Sequence, residues 1–183
     1  ISYVPSNRQG TGIDLGGTSN TIGGNTVTDV DYRNIISGNE AYGIWISASS
    51  NIVKGNYIGP GGGVVNFRTI SNNSSPGNEG AVGKLLGLSN QDYGIYLSGS
   101  AANNTIGGSA NSSTLTGEEN IIAFNINDGV YISGAGSNGN RISRNSIYSN
   151  NAGGRQINLN YSGTPGNNGE AAPLLTTATI STI

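Results

Sequence analysis

Asp29 and Asp31 stand two residues apart, the spacing that puts two carboxylates on one side of a strand. Such a pair could ligate a cation or share acid and base work on a glycosidic bond. The plainer reading is a solvated turn running into Arg33. Glu118-Glu119 precedes a strand-like run and reads as a charged corner. Lys54, Arg141 and Arg144 show no acidic partner at a matching offset. The 183 residues contain no His and no Cys. That removes the usual Ser/His and Cys/His nucleophile systems and every imidazole or thiolate metal site. The sequence therefore predicts no catalytic residue, no cofactor and no metal site beyond the Asp29–Asp31 pair.

A second set of residues could bind rather than react. Trp45, Tyr96 and Tyr131 each occupy the middle of a Gly-[Ile/Val]-x-[Ile/Leu] string. On a strand the two aliphatics face one way and the aromatic the other. If these strings stack, the aromatics form a row on one flat face. Such a row can stack on itself, pack against another subunit or lie against sugar rings.

The elements that carry these residues repeat. Gly-[Ile/Val]-x-[Ile/Leu] occurs at Gly12-Ile13-Asp14-Leu15, Gly43-Ile44-Trp45-Ile46, Gly94-Ile95-Tyr96-Leu97 and Gly129-Val130-Tyr131-Ile132. Between its copies runs a second string, Asn-x-[Ile/Val]-x-x-Asn, beginning at Asn20, Asn34, Asn51, Asn104, Asn120 and Asn140; Ser109 replaces the closing Asn in one copy. Tyr57-Ile58-Gly59, Ser146-Ile147-Tyr148 and Gln156-Ile157-Asn158-Leu159 continue the series. Short imperfect repeats separated by turn residues mark a solenoid. The order of strings predicts three strands per coil and four to five coils. Residues 12–59 also match 94–148, as a tandem duplication would. Gly and Asn suit left-handed corners, and corner asparagines in register can bond amide to amide along the axis.

Thr21-Ile22-Gly23-Gly24, Asn34-Ile35-Ile36-Ser37-Gly38-Asn39, Gly43-Ile44-Trp45-Ile46 and Asn51-Ile52-Val53-Lys54-Gly55-Asn56-Tyr57-Ile58-Gly59 resemble right-handed parallel β-helix repeats of large secreted and surface proteins of microbes, the pectate-lyase-like solenoids. The resemblance covers roughly residues 12–160. It implies an all-β, right-handed parallel β-helix filling residues 1–183 as one domain, and an extracellular or cell-surface location. Polysaccharide lyases, glycoside hydrolases, epimerases, adhesins and fibres share such helices, so the resemblance leaves activity open.

Residues 60–90 break the pattern and read as a loop inserted at one corner. Residues 1–5 and 174–183 read as β-prone terminal strands without a polar cap, able to pair with neighbouring subunits. The competing reading is a cut-out fragment, and the missing Met fits a processed or excised piece. Apolar residues are only 34% and charged residues 10%, with net charge −2. A thin, elongated core fits that composition, and a nucleic-acid-binding basic patch does not. No run is long enough to span a membrane. Asn72, Asn73, Asn103, Asn111 and Asn160 open Asn-x-Ser/Thr sequons and are candidate glycosylation sites, although a chain this rich in Asn, Ser and Thr produces such triplets by chance. The sequence leads to a non-enzymatic extracellular structural protein whose copies join head to tail into a fibre or surface layer. The alternative is a carbohydrate-binding or carbohydrate-cleaving module with a polysaccharide partner.

Overall fold

The computed structural model describes residues 10–24, 33–59, 89–108, 117–150, 155–159 and 167. Among them thirteen short strands follow one another: Ile13–Leu15 (β1), Thr21–Ile22 (β2), Ile35–Ile36 (β3), Ile44–Ile46 (β4), Ile52–Val53 (β5), Tyr57–Ile58 (β6), Ile95–Leu97 (β7), Thr105–Gly107 (β8), Ile121–Ala123 (β9), Val130–Ile132 (β10), Arg141–Ser143 (β11), Ser146–Tyr148 (β12) and Ile157–Asn158 (β13). Every third strand pairs in parallel. Sheet A is β1-β4-β7-β10-β13, sheet B is β2-β5-β8-β11 and sheet C is β3-β6-β9-β12. The chain is a right-handed parallel β-helix with three strands to a coil, and sheet A enters a fifth coil. Successive coils lie one strand spacing apart, about 4.8 Å.

The register shows why the strings repeat. Ile13, Ile44, Ile95, Val130 and Ile157 line up along sheet A. Ile22, Val53, Ile106 and Ile142 line up along sheet B, and Ile36, Ile58, Ile122 and Ile147 along sheet C. These rows, with Leu15, Ile46, Leu97 and Ile132, form a single core around one axis. A few aliphatics per coil suffice, which accounts for the low apolar content.

Asparagine holds the corners. Three ladders run through the described coils: Asn20-Asn51-Asn104-Asn140-Asn167 before sheet B, Asn34-Asn56-Asn120-Asn145 before sheet C, and Asn39-Asn90-Asn125-Asn150 at the corner between sheets C and A, the C–A ladder. In each repeated link the Asn of one coil donates to the Oδ1 of the Asn in the following coil. The donor is often both the main-chain N–H and the side-chain Nδ2, as for Asn56 on Asn120, at 3.0 Å each. A main-chain N–H can only donate, so it identifies its partner atom as oxygen and fixes the orientation of the amide. Spare Nδ2 protons return to carbonyls of the preceding coil, as from Asn120 to Val53 at 2.8 Å and from Asn125 to Ile58 at 3.2 Å. Most ladder asparagines are buried. Buried amides tolerate burial only when bonded, and the neighbouring coil supplies the bond.

The turn into a ladder asparagine is a single left-handed residue. Ser19, Ser50, Asn103 and Gly139 have φ of 60, 62, 56 and 65°, and Gly38, Phe124 and Ser149 do the same before sheet A at 74, 59 and 51°. Three corners depart from this rule. Each follows an Ile-Gly pair in which the Gly takes the left-handed turn itself: Gly23, Gly59 and Gly107, with φ of 89, 103 and 100°. The ladders resume at Asn34, Asn90 and Asn120. Ser89 and Asn90 are buried and belong to the coil, Asn90 as a ladder residue. The rest of the 60–90 insertion, and the terminal strands at 1–5 and 174–183, lie outside the described residues.

Candidate binding face on sheet A

The outward row of sheet A reads Asp14, Trp45, Tyr96, Tyr131, Asn158 in register. The three aromatics share one face, as their spacing predicts. Two further tyrosines join them. Tyr42 and Tyr93 precede the row glycines Gly43 and Gly94, and their rings fold onto the same wall. Tyr42 stacks on Tyr93 at 5.8 Å with the planes 6° apart, and Tyr93 on Tyr131 at 4.4 Å and 22°. Tyr96 and Tyr131 stack at 5.4 Å, while Tyr42 approaches Tyr96 at 4.8 Å with tilted planes. Two coils of this wall therefore carry Tyr-Gly-Ile-x-[Ile/Leu], one residue longer than the string read from the sequence, while Tyr131 follows Asp128-Gly129-Val130.

The wall is fastened from coil to coil. Trp45 Nε1–H donates to Ser98 Oγ at 2.8 Å, and the Tyr96 and Ser133 hydroxyls are hydrogen-bonded at 3.1 Å. Glycine at Gly12, Gly43, Gly94 and Gly129 lets the wall sit close to the C–A ladder. A Cβ on Gly94 would stand 2.6 Å from Gly129 O and 2.7 Å from Asn125 Nδ2. Stacking uses ring faces, so this wall presents ring edges and hydroxyls along much of its length.

Acidic groups border the rings. Asp92 accepts from Asn127 Nδ2 at 2.7 Å. Asp128 is buried where Tyr42 and Tyr93 stand in earlier coils, and it accepts from Arg155 N–H at 2.9 Å and from Asn158 Nδ2 at 2.8 Å. Burial, and next the Asp92 carboxylate, push the Tyr93 phenol up to about 12. Burial also raises Tyr42 and Tyr131, with Asp92 and Tyr96 contributing at Tyr42, and Tyr96 and Asp128 at Tyr131.

The remaining candidates are scattered. Asp29 and Asp31 lie outside the described residues, as do Asn72, Asn73, Asn111 and Asn160. Asn103 is exposed at the corner before sheet B. Lys54 pairs with Glu118 Oε1 at 3.1 Å, an acidic partner that stands at no repeat offset from it. Arg33 beside it donates to Glu119 O at 2.8 Å and lies over the Tyr57 ring at 5.2 Å. Among the described residues no group of three or more Asp, Glu, His or Cys could hold a metal ion, and no helix is long and apolar enough to cross a membrane. Compared with family models, with curated proteins and with solved structures, the chain matches none of them.

Proposed function

We propose that this chain is a non-enzymatic structural unit of the cell surface or extracellular space, whose copies join head to tail into a fibre or layer. One observation carries the reading: the three asparagine ladders all run the same way along the axis. Within each Asn-to-Asn link the donor lies on the N-terminal coil and the Oδ1 acceptor on the C-terminal one, so each ladder has a direction. A head-to-tail contact continues that sense from copy to copy, and a contact that does not close into a ring makes a filament. The chemistry of the polar side chains supports the reading as well, because the amides are engaged in the walls of the coil itself. The same reading expects glycan on the exposed sequon residue Asn103, which intact mass of native material checks. Electron microscopy and sedimentation of purified native protein over a concentration series test the assembly. Filaments or sheets are expected, and discrete monomers at high concentration refute it.

Carbohydrate binding on sheet A is the second reading, favoured by the Trp45–Tyr42–Tyr93–Tyr96–Tyr131 wall and its Asp92 border. Trp45 fluorescence titrated with neutral and acidic polysaccharides checks it. Cleavage would draw on Asp29 and Asp31, and turnover lost in Asp29→Asn with Asp31→Asn would establish it.

A further inference from the structure

Among the described residues the C–A ladder ends on a residue that breaks the row rule. Gly12, Gly43, Gly94 and Gly129 occupy one row along the axis, and the main-chain bond Val130 N–H to Gln156 O places Gln156 as the fifth member. In the four glycine positions a Cβ would stand 2.7 Å from the Nδ2 of the next ladder asparagine: Asn39, Asn90, Asn125 and Asn150 in turn. Gly is required wherever a further coil places an asparagine there. Gln156 carries a side chain in that direction.

What the side chain does is equally specific. Gln156 Oε1 accepts from the Nδ2 of Asn150 at 3.0 Å and from its main-chain N–H at 3.3 Å. This is the two-donor pattern that Asn125 makes on Asn150 Oδ1, at 2.7 and 3.1 Å. Gln156 Nε2 then turns back and donates to Asn150 O at 3.3 Å. A residue six positions along the chain thus supplies the carboxamide that another coil would otherwise bring.

We propose that Gln156 is a ladder stop, which seals the C–A corner of the last described coil and so acts as a brake on head-to-tail stacking. The proposal rests on the self-association reading and names what regulates it. For a second copy to continue this ladder, its asparagine must displace the Gln156 amide and find room beside the Gln156 Cβ. Gln156→Gly removes the amide and the steric block together. Gln156→Leu removes the amide and keeps the block.

The test is a concentration series by sedimentation velocity and electron microscopy on wild type and both variants, with circular dichroism to confirm the β-helix. Hydrogen exchange at the Asn150 main-chain N–H is followed in parallel. Gln156→Gly is expected to assemble at a concentration about tenfold lower than wild type, the equivalent of about 1.4 kcal/mol. Gln156→Leu is expected to show no such gain, and both variants to exchange faster at Asn150. Wild type that stays monomeric at high concentration refutes the self-association reading and the brake with it, whatever Gln156→Gly does. An unchanged threshold in Gln156→Gly, with wild type still assembling, overturns the brake and leaves self-association standing. If neither protein assembles, the self-association reading falls and the brake with it. Should both variants fail to fold, wild-type exchange decides. Protection at Asn150 N–H matching that at Asn125 supports the seal, and exchange at the rate of an open amide overturns it.

Discussion

Replacing Asn120 by Ala removes one rung from the middle of a ladder. Asn120 is fully buried. Its Oδ1 accepts from the Asn56 main-chain N–H and Nδ2, both at 3.0 Å, and its Nδ2 donates to Val53 O at 2.8 Å and Asn145 Oδ1 at 2.9 Å. Alanine deletes all four bonds. The buried Asn56 N–H loses its acceptor, which costs about 1–3 kcal/mol, and each of the other three bonds is worth about 0.5–1.5 kcal/mol. The sum is roughly 2.5–7.5 kcal/mol, a large part of the ~5–15 kcal/mol that holds an ordinary domain folded. Urea unfolding followed by far-ultraviolet circular dichroism and Trp45 fluorescence measures it, with the slope compared between proteins. Asn120→Asp sharpens the test. The carboxylate still accepts from Asn56 but faces the oxygens of Val53 and Asn145. Burial and those two oxygens raise its folded pKa above the unfolded value of about 4. The protonated form is favoured in the folded state, so this variant is least destabilised at acid pH and loses stability as pH rises through the raised folded value. A loss under about 0.5 kcal/mol for Asn120→Ala, the size of an ordinary surface substitution, or an Asn120→Asp variant indifferent to acid, would refute the ladder argument.

Gly94→Ala drives a Cβ to 2.6 Å from Gly129 O, whereas Gly16→Ala meets nothing closer than Ser47 Oγ at 3.9 Å. Thermal unfolding should show a loss of about 1–3 kcal/mol or more for the first and almost none for the second. Tyr93, pushed up to about 12 in the fold, stays neutral there while the unfolded chain ionises near 10. Its contribution is complete below pH 10 and is lost as pH climbs from 10 to 12. Tyr93→Phe should flatten that stretch of the urea midpoint against pH, and an unchanged slope would count against the buried wall. Lys54 and Glu118 are only 18% and 13% exposed; Lys54→Met should cost about 1 kcal/mol or less, with the difference shrinking as salt is raised.

Much of the fold was legible because each coil repeats its own constraints. Ile44, Ile95 and Val130 read as one inward row from period-two alternation, and they stack in sheet A. Asn51, Asn56, Asn104 and Asn120 read as corner residues, and the coils above and below supply their partners. Trp45, Tyr96 and Tyr131 read as an outward row for the same reason. The features that stayed hidden do not repeat at fixed spacing. Tyr42 and Tyr93 reach the wall from the preceding corner, where no alternation marks them. Lys54 finds Glu118, which stands at no repeat offset from it. The left-handed positions were expected at Gly and Asn, yet Ser19, Ser50, Phe124 and Ser149 also take them, since a corner bonded on both sides imposes the conformation on whatever residue stands there. Ile-Gly at residues 22–23, 58–59 and 106–107 does mark the three corners where the glycine itself takes the left-handed turn. That signal becomes visible only once the closing carbonyls of Lys54, Ala123 and Ser143 are seen within 2.0 Å of where a Cβ would sit.

The account stands on amides locked along the axis, and side-chain exchange reads them directly. In a nuclear magnetic resonance exchange series on the isotopically labelled protein, the carboxamide protons of Asn56, Asn90, Asn104, Asn120 and Asn125 should persist far longer than those of the exposed Asn103, with Overhauser contacts linking Asn56 to Asn120 and Asn90 to Asn125. Rapid exchange at all of these carboxamides, equal to that of Asn103, would contradict the ladders and the directional axis built on them.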